Sequence, residues 1–481
     1  MVNAKTLKAG SARLLPAAIA MVLAACAVGP NYSQPKVNAP DAFVETNSSL
    51  FDHNEVERAY WTKFNDATLT QLIEDALASN HDLRIASSRL RQARALRGDS
   101  RFDLTPTVGV NGSRTESRLS ERQAPPGSSI PRDQDYYDAG FDAAWELDLF
   151  GRTRRGIEAR NAEVGAALAE LQNAQVSVTA EVARNYFELR GFQHQLEVAH
   201  RNADNQRQTL QITSDRLDAG RGTELDTSRA RAQLSSTLST IPDLEAAVTR
   251  SILRLGVLTG RSPEALLAQL SQPQSLAPLP VTQSIGNPED LLRRRPDVRI
   301  AERQLAAATA RIGVAVGDLF PRVSFVGRWG FDAAERSDLG DSGSETYAFG
   351  PSISWGIFDL GHLHQRIRQR EAATDAALAR YEQSVLQALE ETDASLTNYA
   401  KALVKEQHVR ESADASTQAA RLARARYDSG VADFLTVLDA ERTALESEDR
   451  LARSETQTAT ALLAVYKALG GGYEDVKTAQ R

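Results

Sequence analysis

The chain of 481 residues contains a single cysteine, Cys26. One cysteine cannot form a disulfide within the chain, so in an exported protein it needs another explanation. Beyond the first 25 residues no apolar run reaches 18 residues, which argues against a second membrane-crossing helix. The net charge of −7, with both signs mixed along the chain, argues against nucleic acid as a partner.

Motifs typical of catalytic, metal-binding or nucleotide-binding sites are also scarce. Gly340–Gly343 (Gly-Asp-Ser-Gly) resembles the motif around a serine-protease nucleophile, but no triad histidine accompanies it, and we interpret it as a surface turn. His362 and His364 lie two residues apart without a carboxylate or cysteine cluster to complete a metal site. Gly220–Gly222 lacks the rest of a dinucleotide fingerprint. We therefore expect no enzymatic activity, no metal and no cofactor.

The N-terminus has the layout of a bacterial lipoprotein signal. Three basic residues precede a short apolar run at 14–24, about half of what a spanning helix needs. The run ends in Leu-Ala-Ala immediately before Cys26, and Ala27 follows in place of an aspartate that would signal retention in the inner membrane. An ordinary secretory signal is the alternative. Because Cys26 is the only cysteine, we interpret 1–25 as a signal peptide and Cys26 as the lipidated first residue of the mature chain.

The rest of the chain contains two repeats of one sequence unit. Segments recur at an offset of about 210 to 215 residues, and the matching pairs are 83–86 with 298–301, Pro106 with Pro321, Trp145 with Trp355, 216–220 with 426–430, and Leu258 with Leu469. This spacing indicates a tandem duplication. We divide the mature chain into an N-terminal equatorial segment (26–65), a first repeat (66–270), a Pro-rich connector (271–287), a second repeat (288–472) and a C-terminal tail (473–481).

Each repeat predicts the same order of elements. A helix (about 66–100 and 288–317) precedes two strands, and a very long helix follows (about 153–218 and 363–428). A glycine then breaks the chain before a second long helix (about 223–260 and 433–469). A helix of about 65 residues is about 100 Å long, which no compact globule contains.

The long helices carry a seven-residue pattern typical of coiled coils. The proposed core positions run every seventh residue from Leu168 to Leu217, and from Leu378 to Tyr427 in the second repeat. This pattern fits a rod-shaped spacer and a duct equally well, so the helices alone do not distinguish these two functions.

The predicted strands alternate between apolar and small or polar residues. The apolar positions are Val108, Val110, Phe141, Ala143, Trp145, Leu147, Val323, Phe325, Trp329, Phe331, Tyr347, Phe349, Ile353, Trp355 and Ile357. Such alternation is typical of a strand between lipid and water, and also of a half-buried soluble sheet. If the strands lie in a membrane, four of them cannot close a barrel, so the pore must be an oligomer.

Several motifs resemble the outer-membrane efflux lipoproteins of the TolC superfamily, of the NodT and OprM type. They are 26–35 (CAVGPNYSQP), 61–69 (WTKFNDATL), 294–298 (RRPDV) with 301–302, 312–313 and 320–321, and the ending 466–472 (YKALGGG). The resemblance covers nearly the whole mature chain.

This resemblance implies an α+β membrane protein that assembles as a homotrimer. Four strands per chain would form a twelve-stranded barrel in the outer membrane, continuing into a long α-helical barrel in the periplasm. The partners it implies are outer-membrane lipid, a periplasmic adaptor and an inner-membrane pump, usually of the RND type. The function it implies is a passive exit duct for substrates that the pump and adaptor deliver.

The resemblance also assigns roles to individual positions. Gly220 and Gly430 would turn the helical hairpins at the periplasmic tip, where the adaptor docks. The tip closes the resting tunnel in this family with rings of apolar and acidic side chains, and the matching positions are Leu435 and Asp439. Arg442, one turn further along the helix, is a candidate tether for that carboxylate.

Two other functions remain as alternatives. One is a structural coiled-coil lipoprotein of the periplasm without a pore, and the other is a periplasmic adaptor subunit. An adaptor would carry lipoyl-like and small β-barrel domains, which we do not find in the sequence.

Lipidation of Cys26 is directly testable. We expect the wild-type protein to incorporate radiolabelled palmitate and the Cys26→Ser variant to incorporate none, because acylation needs the thiol. Label that persists in Cys26→Ser would contradict the lipoprotein interpretation.

Overall fold

The computed structural model describes residues 27–36, 39–45, 50–120, 122 and 131–473. Cys26 and residues 474–481 lie outside the described part. The chain forms two compact units, and both repeats contribute to each. The described residues of the first unit fall within 27–36, 90–167 and 300–381, and those of the second fall within 39–89, 168–299 and 382–473.

The order of elements is the same in both repeats, as the duplication predicted. A short strand β1 (Phe51–Asp52) precedes the first repeat. The first repeat then contains α1 (Ala67–Ser79), α2 (His81–Phe102), β2 (Thr107–Arg118), β3 (Asp133–Leu147), α3 (Arg152–Asp218), α4 (Glu224–Leu258) and the single turn α5 (Leu267–Leu270). After the connector strand β4 (Gln283–Ser284), the second repeat contains α6 (Pro288–Arg294), α7 (Pro296–Gly317), β5 (Arg322–Ala333), β6 (Glu345–Ser354), α8 (Leu360–Asp428) and α9 (Phe434–Ala468).

The opening helix of each repeat, predicted as continuous, is broken into two. Asn80 and Arg295 both leave the helical region, with ψ of 135° and 122°. The Asn80 side chain accepts hydrogen bonds from the backbone N–H groups of Asp82 and Leu83, so it starts α2 as α1 ends. Arg295 precedes Pro296, whose ring disfavours the helical conformation of the residue before it.

The four long strands form one antiparallel sheet in the order β2-β3-β5-β6. It belongs to the first unit. The last strand is shorter than predicted, because β6 ends at Ser354 and both Trp355 and Ile357 lie beyond it. The Trp355 indole instead donates to the Leu319 carbonyl (3.1 Å), as the Trp145 indole does to Leu104 in the first repeat (2.9 Å).

The second unit has its core where the N-terminal segment and connector meet the long helices. Tyr60 stacks on Tyr466 with ring centroids 4.6 Å apart, and both side chains are almost fully buried. The connector contributes β4, which pairs with β1 in parallel. All sixteen predicted coiled-coil positions on α3 and α8 are buried or half-buried, which supports the predicted seven-residue register.

Among the described helices, none combines the length and the apolar composition needed to cross a membrane. Most seam positions of the long helices are apolar, with Gln175, Thr392 and Glu406 as exceptions, and charged residues are spread over the other positions.

Candidate functional site

The sheet of the first unit presents one apolar face. The registered neighbours Val110, Phe141, Trp329 and Tyr347 form a continuous row across all four strands. Phe141 and Trp329 stack with centroids 6.0 Å apart. Val110 and Tyr347, at the two edges, are 77% and 71% exposed. An apolar surface of this extent on a four-stranded sheet marks a contact with lipid or protein.

The opposite face is polar and contains a connected group of side chains. Asn111 donates to the Asp138 carboxylate (2.6 Å), which also forms an ion pair with Arg328. Arg328 extends the group to Asp332 (3.2 Å). The sequence alternation therefore separates an apolar face from a water-compatible face, as predicted.

Two facing glycines lie in the middle of the polar face. Gly140 and Gly330 are cross-strand neighbours, and a Cβ at Gly140 would lie 2.8 Å from the Trp329 carbonyl oxygen. A Cβ at Gly330 would lie 2.5 Å from the carbonyl oxygen of Ala139. Only glycine permits this close backbone approach. The sequence analysis overlooked this pair, although both positions interrupt a strand pattern with glycine.

The sheet has two open edges. β2 pairs only with β3 and β6 pairs only with β5, so the outer edges of both have no partner strand within the described residues. β2 spans 12 residues and β6 spans 10, enough in each case to cross a membrane.

The two helical hairpins turn at Gly220 and Gly430 in the same way. Both glycines have positive φ (67° and 75°), and the next residue donates its N–H to the carbonyl five positions earlier. This is the Schellman arrangement that ends a helix with glycine. No other residue fits the left-handed conformation as well.

A cation–π contact connects the two turns. The Arg216 guanidinium lies 3.8 Å from the centroid of the Tyr427 ring and donates to the Tyr427 carbonyl (3.1 Å). Tyr427 in turn packs on Phe434, the first residue of α9. This contact was not predicted, because the duplication relates equivalent positions of the two repeats and does not indicate which residues of one repeat contact the other.

The predicted gate residues lie in the first turns of α9. Leu435 is 51% exposed. The Arg442 guanidinium lies 2.9 Å from the Asp439 carboxylate, and both side chains are exposed. The predicted lipidation residue, Cys26, lies outside the described residues.

Three glutamates on α9, spaced seven residues apart, connect α9 to both α3 and α8. We call Glu441, Glu448 and Glu455 the glutamate ladder. Their side chains are only 14%, 22% and 19% exposed. A spacing of seven places them on one face of the helix, and the sequence analysis did not search α9 for this pattern.

Each glutamate contacts at least one residue on both neighbouring helices, and Glu448 also lies 3.6 Å from Arg201 on α3. Toward α3 the partners are Thr209 (3.2 Å from Glu441), Asn202 (3.4 Å from Glu448) and His194 (3.5 Å from Glu455). Toward α8 they are Arg424 (3.7 Å), Thr417 (3.2 Å) and Arg410 (2.8 Å) in the same order. The partners on each neighbouring helix repeat at seven or eight residues, so the ladder defines the register of three packed helices.

The ladder contains groups with displaced pKa values. Burial raises the pKa of Glu441. The hydrogen bond between His194 and Glu455 raises the pKa of the imidazole and lowers that of the carboxyl group. Glu197, Arg201, Glu406 and Arg410 are the other charged groups around His194.

A cavity of about 550 Å³ lies beside Glu455, the last residue of the glutamate ladder. His194, Glu455 and Arg410 line one side, and connector residues 273–279 line the other. The cavity gives solvent protons access to His194. Among the described residues, no group of three histidine, cysteine or acidic side chains is arranged to hold a metal ion.

Comparison with known proteins places the chain among efflux proteins. The sequence pattern of the family described as "Outer membrane efflux protein" matches residues 72–261 and 287–471. The solvent efflux pump outer membrane protein SrpC of Pseudomonas putida is 32% identical over 470 residues, covering 95% of this chain and 98% of the relative. The outer membrane protein OprJ of Pseudomonas aeruginosa is 31% identical, covering 95% of each chain.

A solved structure extends the similarity to the fold. The outer-membrane channel OprN is 43% identical with a TM-score of 0.87, covering 93% of this chain and 99% of that chain.

The His194–Glu455 contact predicts a pH-dependent stability. A raised imidazole pKa contributes stability that is fully present below the ordinary value of 6.5 and is lost as the pH rises through the folded value. The thermal midpoint of the wild-type protein should therefore fall more between about pH 6 and pH 8 than that of Glu455→Gln.

The matched control is Glu411→Gln, which removes the carboxylate from the exposed His408–Glu411 pair at 3.4 Å. It should keep the wild-type pH dependence, since an exposed pair contributes little. Equal pH dependence in the wild-type protein and Glu455→Gln would contradict the assignment.

Proposed function

The chain belongs to the outer membrane efflux protein family, and we propose that three copies of it form the passive exit duct of a tripartite efflux system. Its relatives are outer-membrane components of efflux pumps, and the protein is an efflux component of the outer membrane. The main support for a duct is the sheet, which has one apolar face, one polar face and two unpaired edges.

The open edges favour a barrel shared between copies. Unpaired backbone groups are not tolerated in hydrocarbon, and the smallest membrane barrels have about eight strands. β2 of one copy would pair with β6 of the next, so three copies would close twelve strands. The row from Val110 to Tyr347 would face lipid, and the Asp138–Arg328 group would face water inside the barrel.

The helices extend the same assembly into the periplasm. Each copy supplies two hairpins, α3 with α4 and α8 with α9, which turn at Gly220 and Gly430. Three copies would supply a helical barrel around one tunnel. We propose that the hairpin tips at Gly220 and Gly430 contact a periplasmic adaptor, which joins the duct to an inner-membrane pump of the RND type.

The lipid anchor is the second attachment to the membrane. The Arg155 guanidinium is 5% exposed and donates to the carbonyls of Val28 (3.1 Å) and Gly29 (3.2 Å) and to the Asn31 side chain (2.7 Å). The segment after Cys26 is thus held at the end of β3. Acyl chains on Cys26 would enter the membrane beside the sheet.

Leu435 and Asp439 are the proposed gate of the tunnel at its periplasmic end. Three copies of Leu435 would form an apolar constriction, and three copies of Asp439 would form an acidic ring that favours cations. The Arg442–Asp439 ion pair would partly neutralise this ring and help it to remain closed.

The test is the conductance of the purified protein in planar bilayers. The wild-type protein should form channels, and Leu435→Ala/Asp439→Ala should raise the single-channel conductance and weaken the preference for cations. The matched control is Leu225→Ala/Arg229→Ala, at the equivalent positions of the first repeat, which should leave the conductance unchanged.

An unchanged conductance in Leu435→Ala/Asp439→Ala would place the gate elsewhere, first at Leu225 and Arg229. Absence of channels from both the wild-type protein and Leu435→Ala/Asp439→Ala would contradict the duct itself.

A further inference from the structure

The two repeats differ where a strand passes into a long helix. We call 145–160 the first junction and 355–370 the second junction. They align at an offset of 210, since Gly151 corresponds to Gly361 and Ile157 to Ile367. The first residues of the junctions, Trp145 and Trp355, donate equivalent hydrogen bonds to the carbonyls of Leu104 and Leu319. The junctions differ in the side chains that follow.

In the first junction, the arginines are paired within the chain. Arg152 lies 2.9 Å from Glu146, and Arg154 lies 3.1 Å from Asp148. Arg155 pairs with Glu158 (2.7 Å) while it binds the N-terminal segment. The positive charge of this junction is therefore neutralised, and the mature N-terminus covers part of it.

The second junction lacks carboxylates at these three positions, and its one acidic residue is Asp359. Gly356 and Phe358 occupy the positions of Glu146 and Asp148, and Arg368 occupies the position of Glu158. Arg366, Arg368 and Arg370 are exposed, and none of the three forms an ion pair with any described residue. His362 and His364 lie in the same stretch and are also exposed.

Exposed apolar side chains precede these arginines along the chain in the second junction. Phe358 is fully exposed, and Trp355 and Ile357 are 50% and 52% exposed. They follow directly after β6, whose apolar face ends with Ile353. Aromatic side chains beside unpaired arginines are characteristic of the boundary between hydrocarbon and headgroups.

We propose that the second junction binds the headgroups of anionic phospholipids. This inference rests on the proposed function, because it needs the sheet to lie in a membrane. Trp355, Ile357 and Phe358 would enter the edge of the hydrocarbon, and Arg366, Arg368 and Arg370 would contact lipid phosphates. The first junction has its own carboxylates and N-terminal segment, so each copy would bind anionic lipid at one junction and carry its covalent lipid at the other.

The test uses the full mature protein in vesicles of phosphatidylcholine and phosphatidylglycerol, with one lipid brominated at a time. Bromine quenches nearby indoles, and in a Trp145→Phe/Trp329→Phe background the exposed Trp355 reports the second junction, since Trp61 is buried. The quenching by brominated phosphatidylglycerol is divided by the quenching by brominated phosphatidylcholine. This ratio gives the affinity of the junction for phosphatidylglycerol relative to phosphatidylcholine.

The wild-type ratio should favour phosphatidylglycerol on the order of tenfold or more, since each arginine near an anionic surface contributes about a fivefold factor. Arg366→Gln/Arg368→Gln/Arg370→Gln should bring the ratio close to one. The matched control Arg421→Gln/Arg426→Gln/Arg450→Gln removes three exposed arginines from other parts of α8 and α9, and it should keep the wild-type ratio.

A wild-type ratio retained in the junction variant would overturn the proposal. So would dissociation of that variant into single chains in phosphatidylcholine alone, because the arginines would then be binding a neighbouring copy. Conductance recorded on the same samples and on Leu435→Ala/Asp439→Ala separates this proposal from the duct. Absence of channels from all of them contradicts the duct, whereas a conducting junction variant with an unchanged ratio contradicts only the lipid site.

Discussion

The backbone hydrogen-bonding groups along the outer edges of β2 and β6 constrain the rest of the structure. A sheet with one exposed apolar face is stable in hydrocarbon only when both edges are paired. Four strands cannot pair their own edges in a closed barrel, so in the proposed duct each copy would depend on others to complete it. The proposed trimer, its number of helices around the tunnel and a gate shared between copies would all follow from this requirement.

The duplication gives each chain two strand pairs and two helical hairpins. The places where the two repeats differ indicate where they have different roles. Both repeats break their first helix at the same place, but Asn80 does so with a side-chain cap and Arg295 through the proline that follows it. Among the described residues, the first junction binds the N-terminal segment and the second does not. Only α9, in the second repeat, carries the glutamate ladder between two long helices.

Much of the fold was predictable because its determinants are local or periodic. The alternation in the strands, the seven-residue register from Leu168 and the turns at Gly220 and Gly430 follow from side-chain period and backbone conformation alone. The helix break at Arg295 was readable from Pro296 and was overlooked. The early end of β6 was not readable, since Trp355 continues the apolar alternation and leaves the strand to reach the Leu319 carbonyl. The glutamate ladder depends on which helices become neighbours, and a single sequence does not specify that.

Cross-linking between strand edges tests the shared barrel most directly. Asn111→Cys on β2 would be combined, one at a time, with Thr346→Cys, Ala348→Cys or Ser352→Cys on β6, all on the polar face of the sheet. Oxidation of membranes that contain these variants should give a covalent trimer for the pair in register, visible on a denaturing gel and reversed by reductant. Monomers alone from all three pairs, in protein that is folded and inserted in the membrane, would contradict the account.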